Sequence, residues 1–319
     1  MTSIQREIAL SLYRWSTMKT RKKIARKYMA LGSYPASILF YHRVADTYPN
    51  AWTISNTNFI QHLDWIAKHA RFASLDDIRT SQLNGHRNVA MVGLTFDDGY
   101  SENCEIAIPT IVERRIPCTY FASTHFVETG EPFPHDITAG HPLRPNSIAE
   151  IKRMAEAGIT IGAHSHTHID FGKPLSDSQL RTEITDVRKK LQDWSQQPVR
   201  YFAFPYGLKH NFSQRAIDCI FESGYECFVS AAGGLNWPGH DANHLERIHG
   251  DPGMAALANW LTLDPRKLKL QCAISYQLNK PNPTSISVPM DSSVVMPRNP
   301  ITESNELKSL TRFSYTLSP

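Results

Sequence analysis

A series of short apolar runs, each followed by a longer amphipathic stretch, constrains this chain more than any other feature of its sequence. The runs are Ser37–Val44, Val89–Asp97, Cys118–Ser123, Ile159–His164, Tyr201–Pro205, Glu226–Ala231 and Leu245–His249. Between them the spacing of apolar residues predicts helices over Asn58–His69, Glu102–Glu113, Ser147–Ala157, Asp177–Trp194, Ser213–Ser223 and Gly253–Leu261. Strand-then-helix units of this kind imply parallel strands with the helices outside. About seven of them fit an α/β barrel, closed or nearly closed, better than an open sheet.

Residues able to do chemistry fall at the ends of these runs. His42 closes the first, Asp97 and Asp98 the second and His164 the fourth; Tyr206 and Gly207 follow the fifth, and His249 closes the last. In a parallel barrel the C-terminal strand ends converge on one face, where active sites are built. Two adjacent carboxylates at the rim of an apolar core are costly unless something positive sits beside them, most simply a metal ion. An Asp N-cap in a turn is the plainer reading of Asp97-Asp98-Gly99 taken alone. The stretch His164-Ser165-His166-Thr167-His168 shifts the balance: His164 and His168 are four apart, so one helical turn would present both imidazoles on the same side. With Asp98 they form a two-His, one-carboxylate set that leaves positions for water and substrate.

Membrane spanning by a helix is excluded, since no run of about 18 apolar residues occurs. A net charge of +4 with basic residues scattered among acids gives no reason to propose nucleic acid. The cysteines form no C-x-x-C pair, and reduced structural thiols are expected. Residues 1–36 read as a basic helical segment, with Ile4, Ile8, Leu12 and Trp15 on one side and Lys19, Arg21, Lys22, Lys23, Arg26 and Lys27 beyond. Such a helix suits peripheral contact with an anionic membrane, and equally suits packing as a solvated basic helix. No secretory h-region follows its charges, so a cytoplasmic location, peripheral at the inner membrane face, is expected. Residues 37–270 hold the barrel, and residues 271–319, rich in Pro, Ser, Asn and Thr, read as a disordered tail.

Three stretches together resemble the NodB-like polysaccharide deacetylases of carbohydrate esterase family four, close to the exopolysaccharide branch. Thr95-Phe96-Asp97-Asp98-Gly99-Tyr100 is similar to the family's T-F-D-D-G motif, His164 to His168 to its H-S/T-x-x-H motif, and Phe204-Pro205-Tyr206-Gly207 to the end of its R-x-P-Y-G motif. The resemblance implies a distorted (β/α)7-type barrel and metal-dependent removal of N-acetyl groups from amino sugars. It implies Asp98, His164 and His168 as ligands of a divalent ion, zinc by preference, Asp97 as catalytic base, and the peptide N–H of Tyr206 as oxyanion donor. For the general acid it offers His42, as in a branch with permuted strand order, and His249, at the usual late position; His42 is favoured because a longer apolar strand holds it.

Two departures stand out. The motif arginine that orients the base falls on Ala203, and no D-x-D-W motif precedes the last strand. The first leaves room for a non-catalytic carbohydrate-binding or scaffold protein. The expected partner is an acetylated amino-sugar polymer or a lipid-linked oligosaccharide, with deformylation of a lipid-linked amino sugar as a further alternative.

Overall fold

The computed structural model describes residues 3–250, 253–268 and 274–278. All side chains of β1 (Ser37–Tyr41) are buried, so this strand is covered on both faces, as a parallel barrel requires. The remaining barrel strands are β2 (Met91–Phe96), β3 (Cys118–Ala122), β4 (Thr160–Ala163), β5 (Tyr201–Ala203), β6 (Cys227–Ser230), β7 (His244–Glu246) and β8 (Ile248–His249). They pair in the order β7-β6-β5-β4-β3-β2-β1-β8, and every ladder is parallel.

β7 and β8 are two halves of one stretch interrupted at Arg247. The first half pairs with β6, in register His244↔Phe228, and the second with β1, in register Leu39↔Ile248. One short piece of chain thus joins the two edges of the sheet, and the barrel nearly closes on itself. The strand ends lie within a residue or two of the sequence reading, apart from this interruption and a break at His42, beyond which Arg43–Val44 pairs with Thr53–Ile54 instead.

The period-2 alternation of strands divides the core. Ile38, Phe121, Tyr201, Ala203, Val229 and Leu245 cluster with Leu75 and Ile78, while neighbours such as Leu39, Leu94, Ile161 and Phe202 pack with the surrounding helices in the larger cluster. Leu75 and Ile78 come from helix Leu75–Leu83, whose Asp76 accepts hydrogen bonds from Arg200 and Tyr201 at the start of β5. This helix plugs the N-terminal end of the barrel and leaves the opposite end for the site.

Two helices differ from expectation. In place of one over Glu102–Glu113 there is a tight turn, Ser101–Cys104, then a helix, Ala107–Glu113. The turn is held by Asn103, which donates to His42 O (2.7 Å) and accepts from Val44 N (2.9 Å), contacts that fix the chain below the barrel mouth. The helix expected over Asp177–Trp194 carries a π-turn at Arg181–Thr185 between Asp177–Leu180 and Asp186–Ser195.

The N-terminal segment is one helix, α1 (Ser3–Ala30), docked on the helix Met254–Leu261. Arg21, expected in a solvated basic cluster, is instead 1% exposed. Its guanidinium donates to Asn259 O and Asn259 Oδ1 at 3.0 and 2.7 Å, and Tyr13 donates to Asp264 at 2.8 Å. Arg21, next to Lys22 in sequence but rotated about 100° around the helix, faces the protein, and a buried arginine must find acceptors there. Of the expected tail, residues 274–278 are described, and Tyr276 packs its ring 5.2 Å from Phe228; most of that tail lies outside the described residues. Cys104, Cys118, Cys219 and Cys227 are free thiols whose pKa values burial raises.

Candidate active site

Asp97 and Asp98 lie where β2 ends. Asp97 N–H donates to Tyr41 O (2.8 Å), keeping the chain beside β1 for one more residue. Asp98 then turns with a left-handed φ of 71°, a conformation that Asp tolerates better than most residues. At the end of β4, His164 N–H continues the ladder to Ala122 O (3.0 Å), and its Nδ1 lies 2.8 Å from Ala203 O.

The segment His164–His168 is not the helical turn that the spacing suggested. Ser165 and His168 have φ of 61° and 58°, and the loop is held from outside by Glu183. That buried carboxylate accepts from His166 N and Thr167 N (2.9 Å each) and from the Thr167 hydroxyl (2.6 Å). Glu183 stands in the π-turn Arg181–Thr185, where the extra residue of such a turn re-aims a side chain, a placement common at functional sites. His166 bonds Thr124 (2.8 Å) instead of joining the other two rings.

The loop nonetheless brings His164 Nε2 and His168 Nε2 to 3.3 and 3.2 Å from Asp98 Oδ1. A carbonyl can only accept, so His164 Nδ1 carries the proton toward Ala203 and, in the neutral ring, Nε2 presents a lone pair. Burial lowers the His168 pKa below its ordinary value, favouring the neutral ring there too. Asp98 Oδ1 is buried and has no hydrogen-bond partner among the described residues. Three electron-rich atoms converging within 4.8 Å of one another repel unless a cation lies between them, so these residues fit a divalent metal. The Ala203 carbonyl would play the outer part of that design, fixing the tautomer of a candidate ligand.

The arginine absent at position 203 is supplied from elsewhere. Arg247, fully buried, grips Asp97 with both terminal nitrogens, Nη1 to Oδ1 at 2.6 Å and Nη2 to Oδ2 at 2.8 Å. Its Nε donates to Ser230 O (3.0 Å) and its Nη1 also to Thr95 Oγ1 (3.1 Å). Phe40 and Phe121 flank the guanidinium at 4.8 and 5.5 Å. Burial pushes the Asp97 carboxyl up, but Arg247, together with the nearby His164 and His42, more than offsets it and holds it below the ordinary carboxylate value. A bidentate pair of this kind fixes both charge and orientation. The sequence signal was present but unassigned: a charged residue set within an otherwise strand-like run.

Above these groups lies a cavity of about 200 Å³ walled by His42, Trp52, Asp97, Asp98, His135 and Tyr206, among others. Trp52 sits 5.1 Å from the His42 ring, on a loop tied down by Arg43, which donates to Tyr48 O (2.9 Å) and to the hydroxyls of Thr47 and Thr53. Tyr206 takes a left-handed φ of 62°. The turn can form because Gly207 follows: any Cβ at that position would meet Ala231 N at 2.7 Å. His249 is 5.8 Å from His42, centroid to centroid, but borders a neighbouring cavity instead of this one. His135, which sequence reading did not single out, joins the wall through a hydrogen bond to the Tyr100 hydroxyl (2.8 Å).

An ionised carboxylate clamped beside a metal-ligand set, at the open end of a parallel barrel, is equipment for hydrolysis, and the fold and site define a barrel hydrolase. The family model described as polysaccharide deacetylase matches residues 84–227. A Bacillus subtilis (strain 168) protein, YxkH, assigned by name to the polysaccharide deacetylases, is 24% identical over 230 residues, covering 69% of this chain and 73% of its own. Among solved structures, the Streptococcus pyogenes deacetylase PplD superposes with a TM-score of 0.61 at 21% identity, over 72% of this chain and 98% of its own. IcaB from Ammonifex degensii gives 0.60 at 24% identity, over 72% and 97%. Residues 84–227 thus match the polysaccharide deacetylase family model, and the barrel is the fold of the solved deacetylases. The family match begins after His42 and ends before Arg247.

Proposed function

We propose that this protein is a metal-dependent N-deacetylase acting on acetamido sugars, either in a polysaccharide or in a lipid-linked saccharide intermediate. The observation that carries the reading is the convergence of His164 Nε2 and His168 Nε2 on a buried, unpartnered Asp98 oxygen, immediately beside a carboxylate held ionised by Arg247. A divalent ion held by Asp98, His164 and His168, for which zinc is well suited, would polarise the acetamide carbonyl and acidify a bound water. Asp97, ionised across the neutral range, takes the proton of the attacking water. The Tyr206 N–H, which has no intramolecular acceptor among the described residues, is available to the developing oxyanion. His42, on the wall of the same cavity, gives a proton to the departing amine, so that acetate and a free amino sugar are the products. His249 remains the alternative donor.

The non-catalytic reading rested on the missing arginine, and the Arg247 pair removes that motive. A lipid-linked substrate and a place at the inner, anionic leaflet are part of the same proposal, supported by the basic charge of α1. The test is product analysis with acetylated chito-oligosaccharides, before and after chelation and with zinc or cobalt restored. Acetate release that depends on added metal and vanishes in Asp97→Asn is expected. Formate release from a formylated amino sugar, with none of acetate, would replace the reading by deformylation, and metal-independent turnover would remove it.

A further inference from the structure

The outward stripe of α1 has a composition that no role in the barrel explains. Ile4, Ile8, Leu12 and Trp15 recur at helical spacing and are 73, 56, 61 and 79% exposed, so four large apolar side chains in one line face solvent. The same stripe continues through Lys19, Lys22, Lys23 and Arg26, all exposed. The inner face is already occupied: Tyr13, Arg21 and Ile24 pack on or bond to the barrel side. Glu7, the sole acid of the helix, is turned to the protein, where it accepts from Ala255 N at the start of the C-terminal helix (3.0 Å). The outward face is therefore apolar in its first half, cationic in its second, and free of acid.

We propose that this stripe docks the protein on an anionic lipid bilayer, with Ile4 to Trp15 immersed at the headgroup–acyl boundary and Lys19 to Arg26 among the headgroups. Apolar residues and a tryptophan at one end with lysines at the other match the two layers that such an interface offers in order. Ile4 to Trp15 spans roughly 17 Å of helix axis, long enough for a shallow tilted entry and too short to cross. The charge argues for lipid over a second copy of this chain, since two like-charged stripes would have to meet.

The helix also adjoins the catalytic face. Arg6 and Leu10, on its other edge, wall a cavity of about 470 Å³ together with Ala51 and His249, next to Trp52 and His42. Docking by the stripe brings the barrel mouth near the plane in which a lipid-tethered sugar is held. This deepens the lipid-linked reading of the substrate, and the two fail separately, because vesicle binding is read without any substrate.

The experiment is co-sedimentation of the full chain with phosphatidylcholine vesicles, with and without phosphatidylglycerol. Binding to the anionic vesicles, weakened by salt, is expected. Leu12→Asp and Trp15→Asp should each weaken it by about tenfold or more, since each puts a charge in place of an apolar group that docking would cover. Lys22→Glu with Lys23→Glu should reduce it only on the anionic vesicles, by at least about fivefold per residue. All three variants should deacetylate a soluble oligosaccharide as the parent does, because none touches the site. Absence of binding, or binding indifferent to the stripe substitutions, overturns the proposal. So does a dimer that the same substitutions convert to monomer, which would assign the stripe to a second copy.

Discussion

Replacing Arg247 by Met removes the guanidinium while keeping most of the volume between Phe40 and Phe121. The structure fixes what is lost: two charge-assisted bonds to Asp97 and the donors to Ser230 O and Thr95 Oγ1, all buried. Breaking one side of a buried ion pair leaves an uncompensated charge and costs about 3–5 kcal/mol. The carboxylate then binds a proton more readily, since the loss of Arg247 leaves burial, which raises its pKa, opposed only by the nearby His164 and His42. The sign follows. A carboxyl with depressed pKa contributes stability that is present above its unfolded pKa and lost as pH falls through the folded value; in Arg247→Met that contribution disappears and the base titrates at higher pH. Urea denaturation should show the destabilisation, and the acid limb of the kcat/KM profile should move upward, with activity partly recovered on the alkaline side. In the Asp97→Asn background the same substitution should cost markedly less, because no charge is stranded. An unmoved acid limb, together with an equal cost in both backgrounds, would refute the reasoning.

Further outcomes are expected. His168→Ala should bind less than a full equivalent of metal by elemental analysis, because one of three ligand atoms is gone; an undiminished equivalent would displace the triad. His42→Ala should lose acetamide hydrolysis by about a hundredfold or more while sparing an aryl acetate, whose phenolate leaves with little protonation. His249→Ala should show a smaller loss that does not depend on the leaving group, and the reverse pattern would move the acid to the last strand. His244, stacked on Phe228 with its pKa lowered by burial to about 4, is neutral in the folded state and stabilising above its unfolded pKa. Stability should fall by about 3 kcal/mol between the ordinary histidine value and that pH, a fall that denaturation of His244→Phe should largely lack.

The motifs that were legible are those in which the chemistry is local. Asp97 and Asp98 are adjacent, His164 and His168 are four apart, and the fold placed both sets at strand ends as the alternation of elements implied. The geometry behind the second set was not legible. Helical spacing suggested one turn, whereas the rings converge through two left-handed residues and a distant Glu183. Arg247 was hidden for the same reason: its partner is 150 positions away, and the family's own arrangement directs attention to position 203. The burial of Arg21 likewise depends on Asn259, which no local pattern connects to it. In each case the deciding contact is between elements far apart in the chain, and single-sequence periodicity carries no record of it.

Arg247 sits at the break where the last stretch of barrel hands over from β6 to β1, so one residue belongs both to the seam of the fold and to the clamp on Asp97. The three candidate ligands precede residue 169 and the groups that set their loop, Glu183 and Ala203, follow soon after, yet a chain ending short of Arg247 would leave the sheet open-sided and Asp97 without its counter-charge. The Asp97–Arg247 pair is therefore a property of the finished barrel, absent until its last stretch is in place.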